Sequence, residues 1–246
     1  KSFKKKIFIW LFNIFGWQKK YFFHATDEEE KKIVEKKLGN SAKVFVAGNF
    51  PGLYKYVAPP IKLAGQLKLF SIGLISPMKN HLLVLQALGA LGKNPDIKIE
   101  YNIYGPVKDN IYWNKCLAVI NCLPANIHVL YYGAVAPGFI ENVLLQNQVF
   151  ILPSKSENFG HSIIEALSAG RPVITSGATP WNNLQQSMAG INVAADANQE
   201  LQAAINSFVQ MQQAEMITWS KAAAGYANNA INIQAIKGQY LAMFST

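Results

Sequence analysis

A doubly wound α/β domain with a parallel sheet, joined to a short remnant of a second domain, is the fold class this sequence predicts. Three observations predict it. Between residues 67 and 194, short apolar runs alternate with segments of helical period, the pattern of a sheet covered on both faces. Those runs end on Gly73, Gly105, Gly133 and Pro153, where a strand must turn into a loop. Half of the 246 residues are apolar and 15% are charged, which fits a well-buried globular fold.

The elements follow in order. Thr26-Asp27-Glu28-Glu29 reads as a capping box with Thr26 at the cap, opening a charged helix that stops near Leu38 at Gly39. Lys43 to Ala47 alternates as a strand. Pro51, Pro59, Pro60 and Gly65 then mark residues 51–66 as a linker. This sets three domains of sequence: 1–50 as the remnant, 51–66 as the linker, and 67–246 as the main domain. Strands are expected at 67–72, 97–104, 127–132, 149–152 and 173–176, with a weaker one at 191–194. Helices are expected at 80–91, 111–121, 139–146, 163–169, 201–211, 216–225 and 231–244, the last a candidate to cross back to the first domain. In such folds ligands bind beyond the carboxyl ends of the strands.

Composition narrows the function. Net charge is +9, crowded at Lys1, Lys4, Lys5, Lys6, Lys19 and Lys20, yet Arg occurs once, at Arg171. Arginine is the usual reader of bases and fork onto phosphates, so no nucleic-acid partner is expected. The charge fits a membrane surface, an anionic substrate or plain solubility. Cys116 and Cys122 lack metal or redox spacing and point to a reducing, cytoplasmic setting. With no Asp-x-Asp and no His-x-x-x-His, no protein-held metal is expected. The first residue is Lys1 rather than Met, which fits a piece of a longer chain. Ile7 to Trp17 is apolar apart from Asn13 and is too short to span a bilayer, which takes roughly 20 residues. It reads either as an amphipathic helix packed on a domain or as an interfacial helix giving residues 1–20 peripheral membrane contact on the inner face. No small-x-small cleavage site follows it, as a signal peptide needs.

The segment 153–174 carries the chemistry. It reads as loop, helix, stop and strand, with Glu157 before the helix and Glu165 on its early turns. The helix opens near Gly160-His161-Ser162, and its free N–H groups and dipole form an anion site. Gly160 lets a backbone approach closely, and Gly170 suits the left-handed stop. Glu165 is placed to accept two hydrogen bonds from a ribose diol, and Glu157 to bind sugar hydroxyls. Lys79, beyond the first strand of the main domain, reaches a diphosphate as a point charge. Each of these residues by itself also fits solvated surface.

Together they resemble a known family. Glu157-Asn158-Phe159-Gly160-His161 with Glu165-Ala166-Leu167-Ser168-Ala169-Gly170, then Pro172-Val173-Ile174 and Thr179-Pro180-Trp181, resembles the family-4 glycosyltransferases of the GT-B fold, whose E-x7-E motif the two glutamates match. Ile72 to Asn80 is similar to that family's Gly-Arg-x-x-x-x-Lys segment. His24 to Glu30 and Gly48-Asn49 resemble the end of its N-terminal domain. The resemblance implies a Rossmann-like C-terminal domain that binds a UDP- or GDP-type nucleotide sugar. It implies transfer to a sugar or lipid-linked acceptor with retention, in cell-surface polysaccharide or glycolipid synthesis, with no cofactor and no metal. Carried over, Glu157 holds the transferred sugar and is the catalytic candidate, and Glu165 holds the ribose. Lys79, Gly160, His161 and Ser162 hold the diphosphate, flanked by Asn158, Phe159 and Gly73. The loop at Gly133-Ala134-Val135 lies near the base.

Two departures follow. The family's phosphate-binding Arg falls on Leu74, a loss worth about 1.5–3 kcal/mol, with Lys155 the nearest candidate to compensate. Most of the acceptor-side domain is also missing, so this chain is expected to bind donor without turning it over. The alternative reading is a non-catalytic nucleotide-sugar-binding or scaffold domain. A GT-B epimerase fits the Phe159-Gly160-His161 block less well.

Overall fold

The structure, a computed structural model, describes residues 2–245. In chain order the helices and strands are α1 (Ser2–Ile14), β1 (Phe22–Ala25), α2 (Glu28–Leu38), β2 (Lys43–Val46), β3 (Gln66–Ile72), α3 (His81–Leu91), β4 (Lys98–Tyr104) and α4 (Asn110–Ile120). They continue with β5 (Ile127–Gly133), α5 (Ile140–Gln146), β6 (Val149–Leu152), α6 (His161–Ser168), β7 (Val173–Ser176), β8 (Gly190–Val193), α7 (Asn198–Gln210), α8 (Gln213–Ala230) and α9 (Ile233–Phe244). The chain forms two units, Lys1–Phe50 with Ile231–Thr246, and Pro51–Ala230.

In the first unit β1 and β2 pair in parallel, Phe22 opposite Lys43 through Ala25 opposite Val46. Strand β1 was not anticipated, because Phe22 and Phe23 continue the aromatic run that precedes them. Helix α2 is capped one residue later than expected. Asp27, not Thr26, is the cap, accepting from Glu30 N at 2.7 Å. Glu30, not Glu29, turns back to Thr26 N and Oγ1 at 2.8 and 2.7 Å, since it is the residue three beyond the true cap. α9 joins this unit through Gln239 Oε1, which accepts from Gly48 N at 2.9 Å, and through Tyr240 against His24.

The second unit is the doubly wound α/β domain expected, with six parallel strands in the order β5-β4-β3-β6-β7-β8. The inner strands are covered on both faces, Val149–Leu152 and Val173–Ser176 having no exposed residue, while the edge strand β5 leaves His128, Leu130, Tyr131 and Tyr132 exposed. On one face Leu69, Ile99, Ile103 and Ile151 pack with Leu85 and Leu88 of α3 and Ile205 and Phe208 of α7. The chain builds outward from β3 to β5, then returns to lay β6 on the other side of β3. That reversal is a topological switch point, where the loops after β3 and β6 diverge and leave a crevice.

Candidate functional site

The switch point gathers most of the residues singled out above. After β3 come Gly73 and then Lys79; after β6 come Ser154 and Glu157. Lys79 Nζ donates to Glu157 Oε1 across the crevice, and Ser154 Oγ donates to the same oxygen at 2.8 Å. Both charged side chains are largely shielded, Glu157 retaining 10% exposure and Lys79 21%. The Glu157 carboxylate is thus fixed from two sides through Oε1, and its other oxygen accepts no hydrogen bond among the described residues. Ser154 is itself fully buried and braced by Ser176 Oγ, which donates to its carbonyl. The backbone holds the loops in place as well, Glu157 N donating to Ala178 O and Lys155 N to Met78 O.

Gly73 supplies close approach. A Cβ there would touch the Lys79 stem at 3.9 Å and Leu152 at 3.7 Å. Beside it Gly105, at φ 136°, lies so close that a Cβ would sit 1.9 Å from Gly73 O. Gly105 N in turn donates to Gly133 O at 2.6 Å. The three glycines therefore form a row across the carboxyl ends of β3, β4 and β5. Val135 lies two residues beyond that row, half-buried.

Helix α6 opens as expected at Gly160, whose φ of 76° only glycine adopts freely. The preceding loop is wedged by Trp181. Its Nε1 donates to Phe159 O at 2.5 Å, and its ring meets Phe159 edge-on at 5.3 Å. Phe159 also packs on His161, which stays exposed with Asn158, while Ser162 is half-buried. The helix closes on a left-handed Gly170, with Gly170 N donating to Leu167 O and Arg171 N to Ala166 O.

Glu165 stands apart from the Lys79–Glu157 pair. Its carboxylate has no hydrogen bond or ion pair among the described residues, and burial raises its pKa to about 7. The segment 51–57 covers it. A Cβ on Gly52 would lie 3.5 Å from Glu165 Oε1. Tyr54 N donates to Ser168 Oγ at 2.9 Å, which donates to Glu165 O at 2.8 Å. Burial raises the pKa of Tyr54 as well, with the nearby Glu165 charge adding to it. Tyr54 and Ser154 were missed in the sequence. Ser154 had a signal in its place three residues before Glu157, and Tyr54 had none.

Leu74, where the resemblance expects Arg, is 40% exposed beside Gly73. Lys155 is exposed and enters no ion pair among the described residues. Asn80 adopts the left-handed conformation (φ 63°), and its amide donates to Pro153 O and Ala195 O, tying the β3 and β6 loops together. His81 next to it is fully buried, and desolvation with Lys79 nearby lowers its pKa to about 4. No group of side chains among the described residues has the makings of a metal site.

Solved structures share the fold. The chain superposes on S. aureus TarM, solved with fondaparinux, α-GlcNAc-glycerol and UDP, at TM-score 0.68 and 15% identity, covering 91% of this chain and 43% of that one. It superposes on Anabaena HepE, solved with UDP and glucose, at 0.65 and 18%, covering 90% and 62%. A glycosyltransferase from Rickettsia africae gives 0.68 and 14%, covering 96% and 66%. The chain thus spans between about two fifths and two thirds of the length of these structures, and the likeness is one of fold. No curated protein sequence matches. The family model described as glycosyl transferases group 1 matches residues 55–225, from the segment that covers Glu165 through the strand-end crevice to α8. A match over more than half the length settles the family: the chain belongs to the group 1 glycosyl transferases.

Proposed function

We propose that this chain carries the donor-binding half of a retaining, family-4-type glycosyltransferase of cell-surface polysaccharide or glycolipid synthesis. The observation that carries the reading is the Lys79–Glu157 pair bridging the two loops at the switch point. It sets a cation and a sugar-facing carboxylate beside a glycine-lined approach. In this reading the diphosphate of a UDP- or GDP-sugar lies between Lys79 and the opening N–H groups of α6 at Gly160, His161 and Ser162, with Asn158 and Phe159 beside it. Glu157 accepts from the transferred sugar and takes the catalytic position. Glu165 receives the ribose diol, supported by the unfilled hydrogen-bonding capacity of its carboxylate. Gly73 and the Gly133–Val135 loop border the nucleotide. The reading uses no metal and no cofactor. The acceptor in this reading is a sugar or lipid-linked sugar.

Calorimetric titration with UDP and GDP tests the donor site. Binding of one of them at sub-millimolar to millimolar affinity is expected, weakened at least about tenfold in Glu165→Ala by loss of charge-assisted bonds to the ribose. Absence of binding by both nucleotides and their sugars removes the assignment.

The exposed Leu74 favours a second reading, a nucleotide-sugar-binding or scaffold domain without catalysis. Leu74→Arg separates the two. A gain of about ten- to a hundredfold in nucleotide affinity marks a site that has lost its phosphate clamp, as a scaffold would. Unchanged affinity marks a site that has rearranged around Lys79.

A further inference from the structure

Helix α1 has one anchored side and a broad unanchored one. Phe12 anchors it, its ring within 6.1 Å of those of Trp17, Tyr21 and Phe23. Asn13 adds a hydrogen bond from its amide to Lys37 O at 3.0 Å. Phe3, Ile7, Trp10, Leu11 and Ile14 recur at helical spacing on another side, forming one apolar stripe. All five are exposed, Phe3 by 75% and Trp10 by 62%. Single exposed apolar residues are ordinary, but a contiguous stripe marks a contact surface.

The charge around the stripe identifies the contact. Lys4, Lys5 and Lys6 are consecutive, so at 100° per residue they point to three sides of α1 and ring its first turns. Lys19 and Lys20 follow the helix, and all five are exposed. The first carboxylate in the sequence is Asp27. A protein groove shaped for the stripe would have to bury or face away these radiating lysines. A lipid headgroup layer takes them at any azimuth, because their stems extend along the apolar surface while the ammonium groups reach phosphate. Trp10, Trp17 and Tyr21 are the aromatic types favoured at that level. No helix among the described residues is long and apolar enough to cross a membrane, so the contact is interfacial.

We propose that α1 is a docking element for an anionic lipid surface, lying in the headgroup plane with its Phe3–Ile14 stripe immersed and Lys4, Lys5, Lys6, Lys19 and Lys20 at the phosphates. This stands independently of the sugar-transfer reading.

The test is co-sedimentation of the 246-residue chain with vesicles of phosphatidylcholine alone and of phosphatidylcholine mixed with phosphatidylglycerol, with tryptophan emission read in parallel. Binding is expected to the mixed vesicles only, with a blue shift, and to weaken with added salt. Each lysine contributes about a fivefold gain at low salt, so the triple variant Lys4→Gln, Lys5→Gln, Lys6→Gln weakens binding about a hundredfold. Phe3→Ser with Trp10→Ser abolishes binding and the blue shift. Far-UV circular dichroism checks that the variants fold; if one does not, the comparison of anionic with neutral vesicles in the unaltered chain decides alone. Failure to bind the mixed vesicles, equal binding to both, or full binding by the lysine variant overturns the proposal. So does a concentration-dependent dimer that the Phe3, Trp10 variant loses, which assigns the stripe to a second copy.

Discussion

Glu157 and Glu165 belong to one loop-and-helix segment yet meet opposite environments. Glu157 is paired with Lys79 and Ser154, so its charge is satisfied where it stands. Glu165 is covered by the 51–57 segment with no hydrogen-bond or ion-pair partner for its carboxylate among the described residues, and desolvation raises its pKa from an ordinary 4.5 to about 7. The sign of the linkage follows. The folded state retains a proton there that the unfolded state has released, so this residue's contribution to stability falls as pH rises from about 4.5 to about 7 and is level above. Glu165→Gln keeps the shape without the titration. Its melting temperature is expected to gain on that of the unaltered chain across this interval and to run parallel above it. Parallel curves throughout would mean that Glu165 is solvated. No motif in the sequence warns of this difference. Spacing placed both carboxylates around a helix start, but what separates them is Tyr54 and Gly52, more than a hundred residues upstream and without a motif.

At the scale of elements, the strands and helices of the second unit were legible because each writes its burial into a short window. Val149–Leu152 has to be apolar at every position to sit between two helical layers. The segment after β2 was a different case. Its prolines and glycines mark it as irregular, and it has neither helix nor strand over residues 51–63. Its order comes instead from two buried cations, Lys62 within it and Arg171 far along the chain. Lys62 is buried, donating to Leu63 O, Val209 O and Met211 O, and desolvation lowers its pKa to about 8. Arg171, the lone arginine, is fully buried, with Nε donating to Leu144 O at 2.6 Å and Nη1 to Val57 O at 3.0 Å. The guanidinium thereby ties the segment covering Glu165 to α5 and to the end of α6. Arg171→Met fills similar volume but leaves those carbonyls unpaired in a dry site. A loss of about 3 kcal/mol or more is expected in urea unfolding, together with a fall in the Glu165 pKa as its cover loosens. A loss below about 1 kcal/mol would show that the segment is held by packing alone.

At the scale of the whole molecule, the two units differ in how much they bury. Among described residues, the side chains classed as buried in the first unit are Gln18, Ala25, Ala42 and Ala47. The second unit buries Leu69, Phe70, Val84, Leu85, Ile99, Tyr101, Phe150, Ile163, Ile205 and Phe208, all at 1% exposure or less. Apolar burial is the main term opposing chain entropy, and a two-stranded sheet is marginal without it. The strand ladder of the first unit should therefore open far more often than the six-stranded sheet. Hydrogen exchange followed by mass spectrometry measures this directly. Amides of β1 and β2 are expected to exchange at least about a thousandfold faster than those of β3, β4 and β6, because the smaller unit opens without the larger one. A six-stranded sheet that holds its protection while β1 and β2 exchange is the signature of independent opening. Equal protection in both sheets would instead mean that the units open together, so that the crevice at the switch point depends on residues 1–50 for its stability.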